Sequence, residues 1–99
     1  MGRGALASAA LKVDDRAVHR TRVLLNANLI TRSGVVRVRV RDISGAGAQV
    51  WSERPLTEDS EALLVLNGKS AAARVIWADE RYAGLGFFRQ VSTKRLCGL

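Results

Sequence analysis

From Val36 to Arg41, valine and arginine alternate without a break, Val36, Val38 and Val40 against Arg37, Arg39 and Arg41. Successive side chains of a strand point to opposite faces, so this segment reads as a strand with one face in a core and one in solvent. Branching at Cβ suits the valines to that conformation. The flanking sequence supplies partners. Val23, Leu25, Ala27 and Leu29 alternate with Leu24, Asn26 and Asn28, and Arg32-Ser33-Gly34 reads as a turn between the two strands. Asp42–Gly47 interrupts the pattern and Ala48–Trp51 resumes it. Glu53–Ser60, which holds the sole proline, Pro55, reads as a loop. Glu61–Leu66 and Ala71–Ala78 are joined through Asn67-Gly68, a strong hairpin signal. Tyr82–Arg89 makes a sixth strand after a turn near residues 79–81, and Gln90–Leu99 admits a short terminal helix or none. Five or six strands with short connections predict an all-β antiparallel barrel or sandwich.

With 99 residues the chain is one domain, and 47% hydrophobic with 25% charged residues is a globular composition. Its net charge of +7 is uneven. Residues 1–41 hold nine Lys/Arg against Asp14 and Asp15, whereas residues 42–99 hold seven of each sign. That asymmetry points to an anionic partner for the N-terminal part. One cysteine, Cys97, and one histidine, His19, leave no internal disulfide and no four-ligand zinc site, so no metal and a reducing, cytoplasmic setting are expected. No run reaches the roughly 18 apolar residues of a membrane-spanning helix. Ala5–Leu11 after Arg3 is too weakly apolar for a signal peptide, and Leu6 stands where N-myristoylation wants Ser or Thr. Residues 1–13 read as a flexible tail and Cys97 as a tail thiol.

Catalysis finds little support. His19 lies among arginines before the first strand with no carboxylate evidently placed to orient it, and no phosphate-cradling or dinucleotide fingerprint occurs. The pairs Asp14-Asp15, Glu58-Asp59 and Asp79-Glu80 read as solvated loop charges. The informative segments are Arg16-Ala-Val-His-Arg20 and Asp42-Ile-Ser-Gly-Ala-Gly47. Here the chain resembles the PilZ domain, which carries RxxxR in an N-terminal loop and (D/N)xSxxG after the second strand. RxxxR alone is a weak signal among 13 arginines, and Arg37–Arg41 is a second copy. DxSxxG is the more specific, and its position at the end of the alternating strand follows the family pattern. The RVLL stretch of the first strand, Arg74–Trp77 and GLGFF agree with it over roughly residues 14–92.

The resemblance implies a six-stranded antiparallel β-barrel that binds cyclic di-GMP on its outer surface, with no cofactor and no catalysis, and that signals to a protein partner by ordering of the N-terminal loop. The residue chemistry suits this ligand. Arg16 and Arg20 can pair phosphates bidentately, bond guanine O6 and N7, or stack on a base. Asp42 can accept from guanine N1–H and its amine, Ser44 adds a small donor and acceptor, and Gly47 allows close backbone approach. A plain tight turn is the alternative reading of DISGAG, and the preferred one for Gly45.

Arg22, at the start of the first strand, and Trp77 are further candidates. Trp77 stands two residues beyond Val75 and so reads first as core, second as a base-stacking ring. Trp51 also reads as core, and Arg37, Arg39 and Arg41 as a solvated face. Asp14 and Asp15 precede Arg16 and would compete with phosphate for it. The expected organisation is a tail over 1–13, the domain with its RxxxR loop over 14–92, and a C-terminal tail over 93–99. Two rivals remain open: a basic barrel that binds single-stranded nucleic acid, disfavoured by the few aromatics, and a PilZ fold that serves only as an adaptor.

Overall fold

The structure is a computed structural model that describes residues 21–98. Arg16 and Arg20, with Asp14, Asp15 and the expected tail and loop, lie outside the described residues. Six strands form, β1 Thr21–Thr31, β2 Gly34–Ile43, β3 Gly47–Ser52, β4 Glu61–Leu66, β5 Lys69–Ala78 and β6 Tyr82–Phe87, followed by a helix α1, Thr93–Cys97. They close into an antiparallel barrel in the order β1-β2-β3-β6-β5-β4. The predicted strands are all present. β1 and β5 each begin two residues earlier than the pattern indicated, and β6 ends at Phe87.

The hairpins follow their turn residues. Asn67 and Gly68 have φ of 56° and 74°, the left-handed pair that matches the twist of a two-residue hairpin. Between β1 and β2, Gly34 takes φ 123° while the Thr31 hydroxyl donates to its carbonyl at 2.8 Å. Inside, Leu29, Val40, Val50 and Leu64 are completely buried, interleaved with small residues such as Ala27, Ala48, Ala73 and Ala83. Each fully buried Leu or Val stabilises the fold by about 1.5–3 kcal/mol. The alanines let opposite walls of a narrow barrel meet. No aromatic side chain is among the fully buried ones.

The C-terminal end departs from the sequence reading. Ser92 caps α1 by accepting from the Arg95 amide at 3.3 Å, and Gly98 ends it in the left-handed conformation at φ 77°. Leu96 and Cys97 are 4% and 6% exposed and belong to the core. Asn67 Nδ2 donates to the Leu96 carbonyl at 3.3 Å and the Val91 amide to that of Gly45 at 2.9 Å. The helix therefore plugs the barrel beside the β4–β5 hairpin and the β2–β3 turn. The domain extends past residue 92, and Cys97 is a core residue and no tail thiol. Among the described residues no helix is long and apolar enough to cross a membrane.

Candidate functional site

Two inward rows of side chains frame the site. One runs Leu25, Val40, Val50, Ala83 and Ala78 across β1, β2, β3, β6 and β5; the other includes Ile43, Ala48, Leu85 and Val75. Between these rows β3 and β6 have one residue each, Gln49 and Gly84. β2 has two, Arg41 and Asp42, and β5 has two, Ile76 and Trp77. β1 carries an extra residue relative to β2, between Arg22 and Leu25. The extra residues are β-bulges, which break the alternation and push more side chains outward. The result is a low floor at Gln49 and Gly84 with bulged walls on both sides.

A single outward row crosses this depression. Arg22 pairs with Asp42, Asp42 with Gln49, Gln49 with Gly84, and Gly84 with Trp77. The open groove above it has a volume of about 430 Å³, and Val23, Leu24, Arg41 and Tyr82 also line it. Arg41 Nη1 donates to the Tyr82 hydroxyl at 3.0 Å, and its guanidinium lies 5.3 Å from that ring's centre. Asp79, also on the rim, accepts from the amides of Arg81 and Tyr82 at 3.2 and 3.0 Å and holds the β5–β6 turn. The described rim thus has two arginines, Arg22 and Arg41, and two carboxylates, Asp42 and Asp79.

The DxSxxG residues divide into two roles. Asp42 is half-buried in the groove. Ser44 is buried, and its hydroxyl accepts from the amides of Ala46 and Gly47 at 3.2 and 3.3 Å while its own amide donates to the Gly47 carbonyl at 2.8 Å. Gly47 pairs with Gly86, and a Cβ on it would collide with the Leu85 carbonyl, so close strand packing excludes any side chain there. At Gly45 a Cβ would lie 2.9 Å from Gln90 Nε2 and 3.1 Å from the Val91 carbonyl, where the C-terminal segment crosses the turn.

The core reading of Trp77 is wrong. The bulge at Ile76 reverses the phase after Val75, and Trp77 is 39% exposed with its ring across Gly84. Trp51 is also corrected: it pairs with Arg39 and Tyr82 on the outer face, its ring 5.9 Å from the Arg81 guanidinium. Sequence reasoning singled out Arg22, Asp42 and Trp77, which the groove brings together, but not Gln49, Arg41 or Tyr82. Gln49 was accessible in principle, because a hairpin closed by residues 44–47 brings it opposite Asp42. The other two face outward by simple alternation beside inward Val40 and Ala83, and the pairing of β2, β3 and β6 is what brings them to the rim. Among the described residues no group of three His, Cys, Asp or Glu could hold a metal.

The sequence model of the PilZ domain family matches residues 14–96. The crystal structure of the PilZ domain of CeSA from a cellulose-synthesizing bacterium has the same fold, with a TM-score of 0.58 at 21% identity over 74% of this chain and 83% of that one. No curated protein matches the chain in sequence.

Proposed function

The chain belongs to the PilZ domain family, and from that membership we propose that it is a cyclic di-GMP receptor whose ligand lies in the groove between Arg22-Asp42 and Trp77. The observation that carries the reading is the row Arg22–Asp42–Gln49–Gly84–Trp77, which gathers a cation, a carboxylate, an amide and an open aromatic face in one depression. Guanine asks for such a set. Asp42 accepts from N1–H and the exocyclic amine, Gln49 can bond a base edge, and Trp77 offers a stacking surface. Arg22 adds positive charge for a phosphate.

The groove's own charges nearly cancel, so two phosphodiesters need further cations. Arg16 and Arg20 of the RxxxR segment supply them in this reading. Binding would fasten the chain before β1 to the barrel wall and so change the face shown to a protein partner, in the cytoplasm where this second messenger acts. Ser44 and Gly47 contribute by fixing the turn that aims Asp42. The protein acts by binding, without catalysis or cofactor.

Calorimetric titration with cyclic di-GMP tests the reading. A micromolar or tighter complex is expected, about −8 kcal/mol, with GTP far weaker. Arg16→Ala and Arg20→Ala should each weaken it ten- to a hundredfold, about 1.5–3 kcal/mol, and Arg37→Ala should leave it nearly intact. Equal losses from Arg20→Ala and Arg37→Ala would replace the motif with a diffuse charged surface.

A further inference from the structure

A second surface adjoins the groove, sharing Leu24, Arg41 and Tyr82 with it and adding Arg39 and Trp51. Asn26, Arg39, Trp51 and Tyr82 form one outward row across β1, β2, β3 and β6. Arg37 and Arg41 flank Arg39 along β2, and Arg81 lies against Trp51. A smaller groove of about 190 Å³ opens here among Leu24, Arg39, Arg41, Trp51 and Tyr82. Among the described residues, the ion pairs are those of Arg74 with Asp59 and Glu61. Arg37, Arg39, Arg41 and Arg81 are therefore four cations on one face whose side chains form no salt bridge among the described residues, although the Glu53 carboxylate accepts from the Arg37 backbone amide at 3.4 Å. The few aromatics of this chain had argued against nucleic acid, yet Trp51, Trp77 and Tyr82 all face outward on the adjoining strands β3, β5 and β6.

We infer that this face binds single-stranded nucleic acid, with bases on Trp51 and Tyr82 and phosphates along Arg37, Arg39 and Arg41. Alternate residues of a strand are about 6.6 Å apart, a repeat comparable to that of an extended nucleic-acid backbone. Cross-strand pairing sets Trp51 beside Tyr82 on the same outer face, so two rings border the arginine stripe. A charged stripe beside aromatic rings is how sequence-tolerant single-strand sites combine phosphate attraction with stacking. Asn26, bonded through Oδ1 to Arg39 Nε at 3.3 Å, adds an amide that can reach a base edge. An acidic protein segment would engage the arginines but would not use as stacking surfaces the Trp51 and Tyr82 rings, which pack against Arg81 and Arg41. The stripe is short, so the site should take only a few nucleotides and bind them weakly.

The test uses the full chain with Trp77→Phe, which leaves Trp51 as the sole tryptophan. A twelve-residue oligothymidylate should quench Trp51 emission, with log K falling against log salt with a slope of about −2 to −3, as three to four released counterions require. In fluorescence anisotropy Arg39→Gln should weaken binding at least fivefold, Arg39→Lys less, and Trp51→Leu, which retains apolar bulk, also at least fivefold. Circular dichroism of each variant must match the parent. Cyclic di-GMP titration should be little changed by Arg39→Gln, which separates this site from the first groove. Polyglutamate binding as tightly as oligothymidylate would overturn the proposal in favour of an acidic protein surface. Oligothymidylate binding that leaves Trp51 emission unchanged, or no binding at millimolar nucleotide, would also overturn it.

Discussion

Trp77 lies across Gly84, its partner on β6, so closely that a methyl group at Gly84 would collide with the indole Nε1 edge. The glycine is thus the seat of the ring, and its missing side chain is what lets an outward tryptophan lie flat against the barrel. Gly84→Ala should lift the indole into the groove and cost about 1–3 kcal/mol, in the manner of overpacking. In a Trp51→Phe background the emission of Trp77 should shift red and the thermal midpoint should fall. An unchanged spectrum and midpoint would show that the ring has room to give.

How much of this was legible from residues alone differs by level. The strands, the Asn67-Gly68 hairpin and the inward set Val36, Val38 and Val40 follow from local periodicity and turn chemistry, which a sequence displays directly. The site does not. Asp42 is two residues from inward Val40 and Trp77 two from inward Val75, so strict alternation sends both to the core. Bulges that reverse the phase are fixed by pairing with β3 and β6 and leave no mark in β2 or β5 alone. Trp51 is a different miss, because alternation from inward Val50 already places it outside. The helix α1 was open because five residues carry too little period, and only its capping pair, Ser92 and Gly98, marks it.

Asn67 supports the fold in two ways, with a left-handed φ of 56° and a hydrogen bond to the Leu96 carbonyl of α1. Asn67→Ala should lose both, about 1–2 kcal/mol for the conformation and 0.5–1.5 kcal/mol for the bond. Asn67→Gly relieves the conformation and loses only the bond. Urea denaturation should therefore rank parent, Gly, then Ala in falling stability. A glycine variant as unstable as the alanine one would assign the effect wholly to the anchor on α1.

Burial pushes the Cys97 thiol above its ordinary value. The unfolded chain then releases this proton at lower pH than the folded one, so above about pH 9 it binds fewer protons and stability falls as pH rises. Below that window the thiol contributes no slope. Cys97→Ala should flatten this alkaline loss, seen as the difference between parent and variant in urea midpoints at pH 8 and pH 10. The same burial predicts slow reaction with a thiol reagent in native protein and rapid reaction in urea. Fast labelling of the native chain would mean that α1 opens readily from the barrel end.

Asp42 and Ser44 belong to one motif, but their surroundings predict opposite phenotypes. Asp42 reaches the groove, and Asp42→Ala should cost cyclic di-GMP affinity ten- to a hundredfold, the worth of a hydrogen bond to a charged group. Ser44 is buried with its hydroxyl accepting two turn amides in part-buried hydrogen bonds, and Ser44→Ala removes that acceptor. Donors left unsatisfied cost about 1–3 kcal/mol, so the thermal midpoint should fall by several degrees. Because the turn also aims Asp42, affinity should fall with Ser44→Ala as well, but by less than with Asp42→Ala. Ser44→Thr retains the hydroxyl and crowds the turn, so it should recover affinity ahead of stability. If Ser44→Ala spared the midpoint and abolished binding, the hydroxyl would have to serve the ligand directly.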